Sequence, residues 1–261
     1  MTTLDSIGRL EDVERAWYEA HDGVPGVTVE SSDEIAWMRG PGVGWSNAAI
    51  RVRLPAARIA QRLRAIFKRA FSDGRGFGVW VSDRATPADL TQRLTECGFR
   101  SRKRFPAMMT ELGAPEPAPL PKGLRIEELR ESSMFDRHPH PYFGPITTAI
   151  RRFEMTRLEH LRTHHPSKVV DVVALRGEVP VGAATVFLEG DTAVFHDVGV
   201  IEGERNRGIG SAVMLAGCSR ARERGARRAV LLSSGMGFGM YQRIGFREIG
   251  RIAYWYAAKL R

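Results

Sequence analysis

The run Val198-Gly199-Val200-Ile201-Glu202-Gly203-Glu204-Arg205-Asn206-Arg207-Gly208-Ile209-Gly210-Ser211 constrains the fold more than any other stretch of this 261-residue chain. Apolar residues that read as a strand end at Val200 and a polar loop follows. Ile209, Ala212, Val213 and Ala216 then recur at helical spacing, so a strand must feed directly into a helix. Gly208 and Gly210 leave the backbone bare where the two meet, and several N–H groups can turn toward one anion with no Cβ in the way. The helix start adds unpaired N–H donors and the positive end of a dipole, and Arg205 and Arg207 add full charges. Arg205, Asn206, Arg207, Gly208, Ile209, Gly210 and Ser211 therefore read as a pyrophosphate cradle, although a plain strand-to-helix turn has the same local grammar. A Walker loop is excluded because no Lys follows Gly210. A dinucleotide fingerprint is excluded because the order is Arg-x-x-Gly-x-Gly after antiparallel hairpins.

The surroundings narrow the choice. The length admits one large domain or two ordinary ones, and 43% apolar residues can build real cores. No stretch approaches the roughly 20 apolar residues of a membrane span, so no membrane is expected. Asp5, Glu11, Asp12 and Glu14 near the start leave no basic-then-apolar leader, and a cytoplasmic location is expected. Cys97 and Cys218 are too few and too distant in sequence for a disulfide framework, and neither has the context of a nucleophile. The net charge of +9 raises a nucleic-acid reading, but the basic residues are overwhelmingly Arg, which points to coding bias, and no recognition motif accompanies them. Nucleic acid is not an expected partner.

Gly113 to Lys122 carries proline at every second position from Pro115 to Pro121, which forbids helix and removes ladder donors. The expected organisation is a first domain over 1–113, a linker over 114–122 and a second domain over 123–261. In the second half a strand at Gly123–Leu129 precedes a helix from about Thr147 to Thr163. Three hairpin-linked strands follow, at Val169–Leu175, Val181–Leu188 and Ala193–Val200. Beyond the glycine loop come a helix ending at Gly225, a strand at Ala229–Leu232, a short helix and a last strand at Phe246–Ala257. The first half has a related grammar: a helix near Leu4–Ala20, three strands, a helix from Pro55 to Phe71, a strand at Gly78–Ser82, a helix at Ala88–Cys97 and a closing strand at Phe105–Leu112. A short helix followed by Gly-Phe and a strand occurs at Gly98-Phe99 and again at Gly245-Phe246, an internal echo.

With these pieces in place the second half resembles the GNAT superfamily of acetyl-coenzyme A-dependent N-acetyltransferases. Arg205-x-x-Gly208-x-Gly210 is similar to that family's pyrophosphate loop. Ser233-Ser234-Gly235-Met236-Gly237-x3-Tyr241-x3-Gly245-Phe246 is similar to its second cofactor-side motif. Trp80 through Leu112 resembles, more loosely, the closing part of a second, degenerate copy without the loop. The resemblance implies an α/β (α+β) GNAT fold, a mixed and mostly antiparallel sheet flanked by helices, in two tandem GNAT-like domains of which the first binds no cofactor.

The resemblance also implies roles. Acetyl-CoA would be the cosubstrate, with backbone groups of Val198, Gly199 and Val200 along its pantetheine arm. Gly199 inside an apolar strand suggests a bulge or a close backbone approach. Tyr241 aligns with the family's general acid, since a phenol is protonated at neutral pH and can donate to a departing thiolate. His196 is the candidate base; strand alternation places residues 194, 196, 198 and 200 on one face, though Val194 stands where one family member has a second histidine, and water remains an alternative. Asp197 would face the other way. No metal is expected: His160 and His164 have helical spacing, but no third ligand completes a site, and His138 and His140 only flank a proline. The implied reaction is direct acetyl transfer to an amine of a small molecule or peptide, by a monomer or homodimer. A catalytically weak acyl-CoA-binding sensor or protein-interaction module is the alternative. Tyr142 and Phe143, in the segment from Ser132 to Pro166, are candidates for an acceptor wall.

Overall fold

The computed structural model describes residues 2–41, 47–72, 74–113, 120–129 and 148–259. Contacts divide the chain into two compact units, Met1–Ala107 with Ile249–Arg261, and Met108–Glu248. Tyr142, Phe143, His138, His140 and most of the proline-rich segment lie outside the described residues.

In the first unit, α1 (Thr3–Glu19) starts at a capping box: the Thr2 hydroxyl accepts from the Asp5 N–H while the Asp5 carboxylate accepts from the Thr2 N–H. The following elements are β1 (Thr28–Ser31), β2 (Ala36–Arg39), β3 (Ala48–Ile50), α2 (Ile59–Ala70), β4 (Phe77–Val81), α3 (Leu90–Glu96) and β5 (Arg100–Glu111). The strands run in the order β1-β2-β3-β4, and β4 is joined by the last strand of the chain, β11 (Arg247–Ala257). β3 and β4 are parallel and the other described pairs in this unit are antiparallel. Trp37, Leu63, Phe67, Phe77, Leu94 and Phe99 close the core between this sheet and α2.

The second unit adds β6 (Leu124–Glu128), α4 (Thr148–His164), β7 (Val169–Arg176), β8 (Val179–Glu189), β9 (Thr192–Val200), α5 (Ile209–Glu223), β10 (Arg228–Leu232) and α6 (Phe238–Arg243). β6 through β9 form an antiparallel run, and β10 joins β9 in parallel. Alternation along β7 sorts its residues between two cores. Val170, Val172 and Ala174 pack with α5 residues Val213 and Met214, whereas Val173 and Leu175 pack with Leu158 of α4. Helices thus cover both faces of a mixed, mostly antiparallel sheet, as the sequence reading anticipated.

The units do not part at the proline-rich segment. Ile249–Arg261, expected with the second domain, belongs to the first unit because Ala253–Ala257 pair with Phe77–Val81 along β4. The boundary cuts through β5 and β11, since ladder hydrogen bonds hold a strand to its neighbour whatever the distance in sequence.

The internal echo is structural as well. Gly98 and Gly245 take φ of 93° and 94°, and Phe99 and Phe246 donate their N–H groups to the carbonyls of Leu94 and Tyr241 at 2.9 and 3.0 Å. Two short helices therefore end in the same left-handed cap. No helix among the described residues is long and apolar enough to cross a membrane.

A Cβ at Gly245 would meet only Thr110 Oγ1, at 3.5 Å, so space is not the constraint and the backbone conformation is. Gly245→Ala should cost roughly 1–2 kcal/mol. Gly239→Ala, in α6 with only Arg243 Nη1 near at 3.6 Å, should be neutral or stabilising. Melting temperatures of the two variants check this; equal shifts would contradict it.

Candidate active site

β9 and β10 are paired only from Thr192 to Val194, opposite Arg228 to Val230. Beyond Val194, β9 runs on to Val200 with ladder partners from β8 alone among the described residues. One backbone edge of β9 is therefore left open, bordered by the end of β10. The opening follows an irregularity. His196 lies opposite Thr185 and Gly199 opposite Ala183, so that Ala184 alone faces the two residues Asp197 and Val198. This is a β-bulge, and Asp197 takes the left-handed φ of 49° within it.

The bulge changes which side chains share a face. Uninterrupted alternation would group 194, 196, 198 and 200. The inserted residue instead puts His196 on the face of Thr185, Ala183 and Gly199, and Val200 on the face of Gly182, its own partner. Asp197, expected to face the side opposite His196, reaches Arg157 of α4, with Oδ2 3.3 Å from Nη2. The bulge stands at Asp197–Val198, immediately before Gly199. The close approach concerns Gly199 too: a Cβ on Gly182 would sit 3.1 Å from its carbonyl oxygen.

β9 leads through a single turn of 3-10 helix, Glu202–Glu204, into the glycine loop. Asn206 and Gly208 adopt φ of 61° and 78°. The two glycines of the loop serve different ends. Gly208 has room for a Cβ but the wrong backbone conformation for one, whereas at Gly210 a Cβ would lie 2.8 Å from Met240 Sδ. Gly210 therefore lets α6 lie against the first turn of α5. No side chain caps α5 and no acidic residue stands in its first turn. The first helical bond runs from the Ala212 N–H to the Gly208 carbonyl, at 3.0 Å. The N–H groups of Ile209, Gly210 and Ser211 precede it and have no acceptor within the helix.

Arg205, Asn206 and Arg207 are exposed around these donors, and Ile209 is buried in the core. Arg205 Nε donates to the Val200 carbonyl at 3.2 Å, which ties the loop back to the end of β9. Glu204, at the start of the loop, is engaged by Arg176 at 3.0 Å and Arg207 at 3.3 Å. What remains is an uncapped helix start beside cationic side chains, a donor set that suits a multiply charged anion.

Tyr241 sits on α6 against Phe246, with ring centroids 5.9 Å apart. Burial pushes its phenol up to about 12, so it is protonated throughout the neutral range. Burial also pushes the Cys218 thiol up to about 12, and Cys97 is raised by burial with Glu96 adding to it. Neither cysteine has the low pKa of a nucleophile.

Beneath the sheet on the α4 side lies a polar layer of which the sequence reading had assembled nothing. Asp171, alone among apolar neighbours in β7, is 1% exposed; its Oδ1 accepts from Thr185 at 2.6 Å and its Oδ2 from Arg162 at 3.0 and 3.1 Å. Arg157 donates to Glu154 through Nε at 2.8 Å and Nη2 at 2.7 Å, and Nη2 also reaches Asp197. Burial works against the Arg157 charge, but Glu154 and Asp197 outweigh it and raise its pKa. A lone Asp inside an apolar strand was the one visible signal. His160 and His164 are stacked at 4.2 Å on the same helix, and His164 Nδ1 is 2.9 Å from the His160 carbonyl. Among the described residues no group of three or more His, Cys, Asp or Glu is placed to hold a metal ion.

Residues 125–246, which contain the open strand, the loop and Tyr241, match the profile of the Acetyltransferase (GNAT) family. No curated protein matches the chain significantly. Among solved structures, a GCN5-related N-acetyltransferase from Kribbella flavida is similar in fold with a TM-score of 0.69 and 17% identity, over 100% of this chain and 99% of that one. A tandem GNAT protein from the clavulanic acid biosynthesis pathway aligns with a TM-score of 0.64 and 12% identity, over 98% of this chain and 96% of that one. A GCN5-related N-acetyltransferase from Sphaerobacter thermophilus gives 0.60 and 19%, over 95% and 84%. These identities speak for fold alone: the chain has the fold of GNAT proteins, and its segment 125–246, which bears the loop, matches the GNAT family.

Proposed function

We propose that the second unit transfers an acetyl group from acetyl-CoA directly to an amine, and that the first unit is a degenerate copy that binds no cofactor. The observation that carries the reading is the continuity of β9: an open backbone edge past Val194 runs straight into the uncapped start of α5. An acyl carrier with a diphosphate at one end and an amide-bearing arm at the other matches both. When bound, acetyl-CoA supplies an activated thioester.

The N–H groups of Ile209, Gly210 and Ser211, with Arg205, Asn206 and Arg207, hold the diphosphate. Backbone groups of Val198, Gly199 and Val200 align the arm and polarise the thioester carbonyl. His196, or a water beside it, takes the proton that the acceptor ammonium must lose. The freed nitrogen lone pair forms the new C–N bond as the C–S bond breaks, and the electron pair leaves on sulfur. Tyr241 donates its proton, or a hydrogen bond, to that sulfur. No cysteine thiolate of the protein takes part, in keeping with the raised pKa of Cys218.

The first unit supports its assigned silence. It has the same parallel pair, with Ala48 and Ala49 opposite Gly78 and Val79, and a left-handed residue, Arg51, soon after it. There the gap is closed by the chain itself: the Thr86 N–H donates to the Val52 carbonyl at 3.0 Å and the Leu54 N–H to the Thr86 carbonyl at 3.1 Å. Leu94, fully buried, stands where the second unit has Tyr241.

Acetyl-CoA at about 100 times its Kd should stabilise the protein by about 2.7 kcal/mol, a melting shift on the order of 5–10 °C. Arg205→Glu or Gly208→Asp should abolish the shift, and no shift of the wild-type protein at millimolar ligand would overturn the reading. Tyr241→Phe should lower amine-dependent thiol release about 100-fold with the affinity for coenzyme A unchanged. An unaltered turnover in stopped assays of that variant would remove Tyr241 from the proton path.

A further inference from the structure

The two glycines of the loop border different neighbours. A Cβ on Gly210 would lie 2.8 Å from Met240 Sδ of α6, the helix that carries Tyr241. A Cβ on Gly208 would lie 3.6 Å from Pro121 Cγ. The glycine loop therefore has one flank on the tyrosine helix and another on the chain that leads into β6. Leu120, Pro121 and Lys122, on that second flank, stand outside the span 125–246 that matches the family.

Pro121 to Leu124 form a fixed corner. The Leu124 N–H donates to the Pro121 carbonyl at 3.0 Å and Gly123 takes a φ of 71°, the pattern of a type II turn with Lys122 at its second position. Arg176, at the end of β7, ties this corner to the loop. Its Nη1 donates to the Lys122 carbonyl at 2.9 Å, while Nε and Nη2 donate to Glu204 at 3.2 and 3.0 Å. One guanidinium thus holds the turn and the start of the glycine loop at a set separation. The Lys122 side chain is exposed, and among the described residues no carboxylate pairs with it. A lysine ammonium rides on a flexible four-carbon stem and is suited to reach a phosphate beside its own turn.

We infer that Lys122 belongs to the donor site and holds the phosphates at the nucleotide end of the cofactor, beyond the first phosphate of the pantetheine arm. The inference rests on the acetyl-CoA reading and adds a specificity-determining residue to it. On that reading the thioester lies toward Tyr241 and α6, so the opposite end of a donor that spans the loop comes to the flank of Gly208 and Pro121. The N–H groups of Ile209, Gly210 and Ser211 neutralise only part of a multiply charged ligand, since a helix start carries about half an elementary charge. Arg207 shares its charge with Glu204 at 3.3 Å, and Arg205 is tied back to the Val200 carbonyl at 3.2 Å. A further full charge held at a fixed corner completes the set. Lys122 therefore makes the site read a nucleotide coenzyme and not a bare phosphopantetheine arm.

Calorimetry on the full-length protein tests this with coenzyme A and with 4′-phosphopantetheine, which ends at the first phosphate. Lys122→Gln should weaken coenzyme A about tenfold, the loss of one charge-assisted hydrogen bond. Lys122→Arg should stay within about threefold of the wild-type protein, because it restores the charge. Any binding of 4′-phosphopantetheine should be equal in the wild-type protein and in Lys122→Gln. An unchanged melting temperature without ligand shows that the variants fold. Undiminished coenzyme A affinity in Lys122→Gln, no recovery in Lys122→Arg, or an equal loss for 4′-phosphopantetheine would overturn the assignment while leaving the acetyl-CoA reading in place. No binding of coenzyme A to the wild-type protein would instead bring down that reading, and this inference with it.

Discussion

The bulge at Asp197–Val198 is the constraint on which the candidate site depends. One extra residue in β9, opposite Ala184, bends the strand away from its parallel neighbour after Val194. That bend frees a row of backbone N–H and C=O groups on the partly exposed residues His196 to Val200, where water or a ligand can pair with them. The left-handed conformation of Asp197 adds a cost of about 1 kcal/mol, and Arg157 helps to hold it.

The two units treat the same opening differently. Both contain a parallel strand pair and a left-handed residue shortly after it, Arg51 in one and Asp197 in the other. In the first unit Thr86 bonds to Val52 and Leu54 and closes the edge. In the second no backbone segment among the described residues does so, and the strand ends in a helix start with no side-chain cap. The identical caps at Gly98 and Gly245 show that the likeness extends to single hydrogen bonds.

Electrostatics divides the second unit into two environments. Around the glycine loop the charges are mostly exposed and mixed, Arg205 and Arg207 beside Glu202, with Glu204 held by Arg176 and Arg207. On the α4 side the charges are largely buried and mutually bonded, Glu154 and Asp197 to Arg157 and Asp171 to Arg162. Exposed charges are screened by salt and act mainly by steering, whereas buried ones fix geometry because each partner lost leaves another uncompensated.

Much of this was legible in the residues and some of it could not be. The helix from Ile209 and the strands at 169–200 follow from local periodicity, and Gly208 announces a left-handed turn because only neighbouring atoms decide it. Alternation places Val194 and His196 on one face correctly but fails for Val200, because it holds only while the pairing is regular, and a bulge is a property of two strands at once. The Arg157 network joins residues 154, 157 and 197, and the last strand returns to β4 of the first unit; both are long-range pairings that leave no local trace. The sequence by itself determined the order of elements, the glycine loop and the tyrosine helix, all set by interactions within a few residues. Only the tertiary structure decided where β9 opens, which carboxylates gather on Arg157, and to which unit the chain end belongs, because each depends on partners brought together by folding.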